Sequence, residues 1–113
     1  MDEKTADVKA VIDYSSQLMP GAACSAMNDK YAVAENNVVT ISFSGWAKSN
    51  AGNDMVIATI PNALRPNVSN LFFTAFDHTL KKALGCRISG NSIVANNLSA
   101  GNAFWVAVTY VKK

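Results

Sequence analysis

The sequence predicts an all-β fold: an antiparallel β-sandwich or jelly-roll-like barrel, preceded by a short N-terminal helix or an extended lead-in. Three observations carry this. Apolar and polar residues alternate in several short runs, most clearly at 38–46 and 104–111, and a period of two marks a strand with one buried face. Turn residues separate the runs at intervals of about 8–12 residues, the spacing of sandwich strands. The stretch Ile60-Pro61-Asn62-Ala63-Leu64-Arg65-Pro66 places two prolines between apolar runs. They lock φ and remove two backbone donors, so neither a helix nor a central strand runs through them. Each also biases the residue before it, Ile60 or Arg65, toward extended backbone. The expected result is a stiff crossing between strands, with Pro61 and Pro66 fixing its path and Arg65 bonding carbonyls or a carboxylate to hold it.

Taken in order, residues 1–19 place Val8, Val11, Ile12, Ser15, Leu18 and Met19 at helical spacing, with Thr5 able to cap and Pro20-Gly21 ending the segment. The stripe is narrow. It reads either as a neck packing on copies of itself or as a tail laid on the sandwich. Residues 1–21 form this lead-in and 22–113 the head, a length that suits one core. The small-residue run 21–28 is a short strand or bend, and 30–34 a strand turning at Glu35-Asn36-Asn37. In 38–46, Val39, Ile41 and Phe43 point inward, while Val38, Thr40, Ser42, Ser44 and Trp46 face outward. A loop at 48–53 leads to a strand at 54–60. The run 70–77 is apolar on both faces: Leu71, Phe73 and Ala75 on one, Phe72, Thr74 and Phe76 on the other. Such a strand needs cover on both sides. A neighbouring subunit is the simplest source, which makes Phe72 and Phe76 interface candidates. Asp77-His78-Thr79 turns the chain. Leu84, Cys86 and Ile88 then point inward, Gly90-Asn91 turns, 92–95 is a strand, and 96–102 a polar loop. Phe104, Val106, Val108 and Tyr110 form the inner face of the last strand, with Trp105, Ala107 and Thr109 opposite.

Composition narrows the function. Half the residues are hydrophobic and 16% charged, a globular balance. Net charge is +2, too small to argue for a nucleic-acid partner. No run of eighteen apolar residues offers a membrane span, and the acidic N-terminus lacks a signal-peptide pattern. Twelve asparagines fall mostly between the apolar runs. They suit turns, and their amides also suit hydroxyl-rich ligands. Cys24 and Cys86 lack metal-site spacing, and with one histidine they cannot complete a zinc site without carboxylates. They read as free buried thiols. No metal or cofactor is required. Residues 36–113 carry two acids, Asp54 and Asp77, a thin inventory for acid–base chemistry. His78 beside Asp77 on a turn does not make a triad. No nucleophile elbow, HExxH or phosphate loop appears. The sequence therefore reads as a binding protein, not an enzyme.

Four pieces in a fixed order carry a family resemblance. They are an apolar strand leading into Ile60-Pro61, then Arg65-Pro66 and an aromatic-rich strand; the hairpin at 31–45 (YAVAENNVVTISFSG); the hairpin at 85–97 (GCRISGNSIVANN); and the closing strand at 104–111 (FWVAVTYV). Over roughly residues 28–111 the chain resembles the C-terminal receptor-binding head of phage tail-fibre and baseplate proteins, of the lactococcal-phage type. The resemblance implies a homotrimer on a virion tail, made in the host cytoplasm, attached to other tail or baseplate proteins and binding host cell-surface polysaccharide. In such heads tryptophan, histidine and aspartate contact the sugars. The longer N-terminal stretch and the pair Cys24 and Cys86 depart from the pattern.

Sugar recognition pairs an aromatic face with short polar groups and a carboxylate. Trp46, which ends a strand on the more polar face, is the leading aromatic candidate, and Trp105 the second. Asp54, Asp77 and His78 are the polar candidates. Against each stands a structural role: an edge seal for Trp46, a turn for His78, a strand start for Asp54. The alternatives to a saccharide-binding head are a structural trimerisation or capping module, a polysaccharide hydrolase, and a secreted adhesin domain.

Overall fold

The computed structural model describes residues 10–48 and 52–113. Within them the chain is all-β. Nine strands form one curled antiparallel sheet: β1 (Val11–Asp13), β2 (Met19–Pro20), β3 (Cys24–Glu35), β4 (Val38–Ala47), β5 (Met55–Thr59), β6 (Asn70–Asp77), β7 (Lys82–Ser89), β8 (Ser92–Ala95) and β9 (Ala103–Val111). Their spatial order is β1-β3-β4-β9-β6-β7-β8-β5-β2. Two short 3₁₀ turns, Ser15–Gln17 and Asn62–Leu64, complete the elements among the described residues.

The alternation seen in the sequence places the core. On β4, Val39, Ile41 and Phe43 are buried. On β9, Phe104, Val106 and Tyr110 are buried, and on β7, Leu84, Cys86 and Ile88. β4 and β9 pair along their lengths, from Val38↔Val111 to Trp46↔Ala103, so their inner residues share one layer. Phe43 meets Phe104 edge to face at 6.3 Å, a favoured aromatic geometry. Gly45 makes room for that pair, since a Cβ there would sit 2.8 Å from the Phe104 ring and 2.9 Å from Cys24 Sγ. Cys24 and Cys86 are buried free thiols, as expected. Burial pushes both up, Cys86 to about 11, so neither is a ready thiolate.

Of the two forms expected for the lead-in, its described residues take the extended one and not the helix. Val11–Asp13 pairs with β3, and the Tyr14 N–H donates to Ala32 O at 2.7 Å. Ser15 Oγ accepts from the Ala32 N–H, and Asp13 Oδ1 caps the Ser15 N–H, which starts the 3₁₀ turn. Leu18 then drops into the core, fully buried. A narrow stripe gains little from helix formation, whereas the open β3 edge satisfies the backbone and suits β-branched Val11 and Ile12. Thr5, the expected cap, and Val8 of the expected stripe lie outside the described residues. Residues 21–28, expected as a short strand or a bend, hold a turn at 22–23 followed by the start of β3. The N–H groups of Gly21 and Ala23 donate to Ile57 O and Val56 O on β5, and Cys24 pairs with Ala47 on β4. A Cβ at Gly21 would run into Val56 O. One extended run therefore leaves β5 and joins β4, tying the two ends of the sheet together.

The proline crossing departs from expectation in two ways. A single 3₁₀ turn, Asn62–Leu64, fits between the prolines, because Pro61 occupies its N-cap, where no N–H is needed. Arg65 is not the clamp. Its side chain is exposed and has no hydrogen-bond or ion-pair partner among the described residues. Tyr110 Oη donates to Leu64 O at 2.6 Å. Asn91 Nδ2 donates to Ile60 O and Asn62 Oδ1, and the Lys113 N–H donates to Arg65 O. Side chains from the last strand and the β7–β8 turn hold the crossing.

β6 and β9 form the seam of the fold. Their ladder is limited to Phe76↔Trp105 and Asp77↔Phe104, and at the far end Pro66 bridges Lys112. Between these points β6 pairs with β7 over its whole length.

Candidate functional site

Where the β6–β9 ladder stops, the outer surface sinks into a groove of about 760 Å³. It is lined mainly by outward residues of four strands, Ser42 and Ser44 on β4, Trp105 and Ala107 on β9, Thr74 and Phe76 on β6, and Ala83 on β7, with Asp29 at its β3 side; the core residues Phe43, Ala75 and Val106 also reach it. Register explains the assembly. Ser44 lies opposite Trp105, Trp105 opposite Phe76, and Phe76 opposite Ala83. One cross-strand row thus carries a hydroxyl, an indole, a phenyl and a methyl.

Trp105 is the centre. Its side chain is 48% exposed. The His78 ring stacks on it at 4.3 Å between centroids and 18° between planes. Phe76 lies 5.6 Å away, tilted by 39°. Two aromatic neighbours restrict the indole, so a ligand meets a surface that is already ordered.

The turn behind His78 explains its position. Asp77 is fully buried (0% exposed). Its Oδ1 accepts from the Leu80 N–H at 2.8 Å and its Oδ2 from Asn102 Nδ2 at 3.0 Å. Burial pushes its carboxyl up, but the Leu80 N–H, the Asn102 amide, the Thr79 N–H and the nearby Lys82 ammonium together outweigh this and hold it below the ordinary value. The His78 N–H donates to Ala103 O, and Thr79 Oγ1 accepts from the Ala103 N–H. The turn is thereby knitted to the start of β9, and His78 is laid against Trp105. His78 Nδ1 is buried and has no hydrogen-bond partner among the described residues.

The five residues singled out from sequence meet four different fates. Trp105 and His78 come together. Trp46 is 49% exposed on the same outer face, opposite Ala103 and diagonal to Trp105, but does not line the groove. Asp77 has no exposed surface to meet a ligand, and it positions His78 instead. Asp54 stands outside the groove, with Oδ1 2.8 Å from Arg87 Nη1 in an ion pair. Arg87 is five residues beyond Lys82, the partner of Asp77, or about 17 Å along the strand. Asp54 and Asp77 therefore do not form a catalytic carboxylate pair.

Asp29 is the residue that sequence reading missed. β3 carries a bulge between Asn28 and Tyr31, and Asp29 adopts φ 55° there. Aspartate and asparagine tolerate that region better than most residues. The Asn28-Asp29 dipeptide was the available signal, at the junction between the 21–28 run and the 30–34 strand, which the structure joins into β3.

Among the described residues, no group of three or more His, Cys, Asp or Glu side chains is placed to hold a metal. No protein-family model matches the chain, and no curated protein matches it either.

Proposed function

We propose that the protein binds saccharides at the Trp105 groove. The observation that carries this is a half-exposed indole, ordered by His78 and Phe76, beside the hydroxyls of Ser42, Ser44 and Thr74 and the carboxylate of Asp29. Pyranose rings have an apolar face that packs on aromatic surface and a rim of hydroxyls that exchange hydrogen bonds with short polar groups. The resemblance to phage tail receptor-binding heads extends the reading: a tail-borne homotrimer that attaches to host cell-surface polysaccharide. Weak single sites on linked copies would add up through multivalency.

Phe72 supports the subunit part. It is 75% exposed at mid-strand on β6, with Val68 and Val111 also exposed. Light scattering at micromolar concentration should give three times the 12.0 kDa chain mass, and Phe72→Asp should lower it. A monomeric wild type would remove the trimer. For the saccharide part, a glycan array probed with wild type and Trp105→Ala is the test. Loss of binding in the variant, with mass retained, supports the groove. An array blank for wild type in a multivalent format would favour the purely structural module.

A further inference from the structure

The groove carries one charge, and its sign restricts what enters. Of the residues lining it, Asp29 alone is charged. No lysine or arginine lines it, although residues 36–113 carry seven bases against two acids. The other carboxylates with described contacts are occupied. Asp13 accepts from Ser15, Asp54 holds Arg87, and Asp77 is sealed in its turn. Asp29 has no hydrogen-bond or ion-pair partner among the described residues. The bulge fixes its backbone beside Ser42 and Ser44, since two residues there, Asp29 and Lys30, occupy the space between Asn28↔Ser44 and Tyr31↔Ser42.

We propose that the groove selects saccharides bearing a protonated amine, with the ammonium on Asp29 and the apolar ring face on Trp105. This rests on the saccharide reading of the same groove. The carboxylate accepts a charge-assisted hydrogen bond from the ammonium. Apolar walls strengthen this attraction by lowering the local dielectric. The same arrangement disfavours uronic acids, which would bring a second carboxylate to Asp29. N-acetylation removes the ligand's charge, so the Asp29 carboxylate keeps a hydrogen bond from a neutral donor but loses the ion pair.

Titration calorimetry on the full chain tests this with three probes of equal length: a glucosamine tetrasaccharide, its fully N-acetylated form, and a tetragalacturonate. The amine form should bind roughly tenfold more tightly than the N-acetylated form, and the galacturonate should bind least. Asp29→Asn keeps a residue that accepts positive φ and should remove most of the preference. Raising salt should shrink the preference in wild type. Equal binding of the amine and N-acetylated probes by wild type, or a preference that survives Asp29→Asn, overturns the inference. If Trp105→Ala abolishes that unselective binding, the saccharide reading still stands. If no probe and no arrayed glycan binds wild type, both fall.

Discussion

The β6–β9 seam ends in two grooves that share a backbone plan and differ in their side chains. At the Phe76 end the ladder holds for two pairs and the groove is aromatic and apolar, with one acid. At the Pro66 end a single bridge joins the strands, and a smaller notch of about 400 Å³ is lined by Arg65, Asn67, Ser69, Ser89 and Lys113 among others. That notch has no aromatic ring. The comparison separates the roles of rigidity and surface chemistry. Both ends are pinned by a buried polar group, Asp77 at one and Tyr110 at the other, but only one presents an ordered indole. Pinning alone therefore does not distinguish the proposed binding end from the other.

Asp77→Ala should have the largest effect and should break the groove end. It strips a buried site of two hydrogen bonds and leaves the Leu80 N–H and Asn102 amide unsatisfied, at about 3 kcal/mol in urea unfolding. Glycan binding should fall with it, because His78 loses its place. The same carboxyl gives a pH signature. Its folded value lies below the ordinary 3.8, so the folded state favours the ionised form. That stabilisation is fully present above the unfolded value and is lost as pH falls through the folded one. Acid unfolding of wild type should steepen below the ordinary carboxyl range, and Asp77→Asn should flatten it.

Trp105→Ala comes next. It should weaken glycan binding by about 2 kcal/mol, the scale of an interface aromatic, while costing the fold about 1 kcal/mol through its ring contacts. A loss of stability as large as that of Asp77→Ala would make Trp105 a packing residue and dissolve the contrast. Tyr110→Phe should break the other end, at about 1.5 kcal/mol for a lost buried hydrogen bond, with glycan binding unchanged. Arg65→Ala should have the smallest effect, under about 0.5 kcal/mol, because the guanidinium is exposed and has no partner among the described residues. A large loss there would restore arginine as the clamp.

Much of the fold was legible because alternation is a local signal. The inner faces of β4, β7 and β9 follow residue by residue from their period, and Asn36 and Gly90 sit at positive φ where turns were expected. The lead-in was less legible, because Val11 and Ile12 take their conformation from β3, across a sequence gap that periodicity does not sense. Arg65 drew weight as the lone cation between two prolines, yet neutral Tyr110 and Asn91 make the bonds. Within the site, Trp105 and His78 could be named but not brought together, since their contact depends on the Asp77 turn docking on Ala103. Asp29 was hidden because a bulge adds one residue without changing the composition of the strand around it. The burial of Asp77 had a partial signal, an aspartate opening a turn, which fits an Asx turn as well as a ligand contact.

The most direct test uses the indole itself. The chain has two tryptophans, so Trp46→Phe leaves Trp105 as the single reporter. Titrated with the tightest-binding glycan, this variant should bind as wild type does, and its emission should change along the same isotherm that calorimetry records. Binding that proceeds while Trp105 emission stays constant would place the saccharide elsewhere and contradict the account.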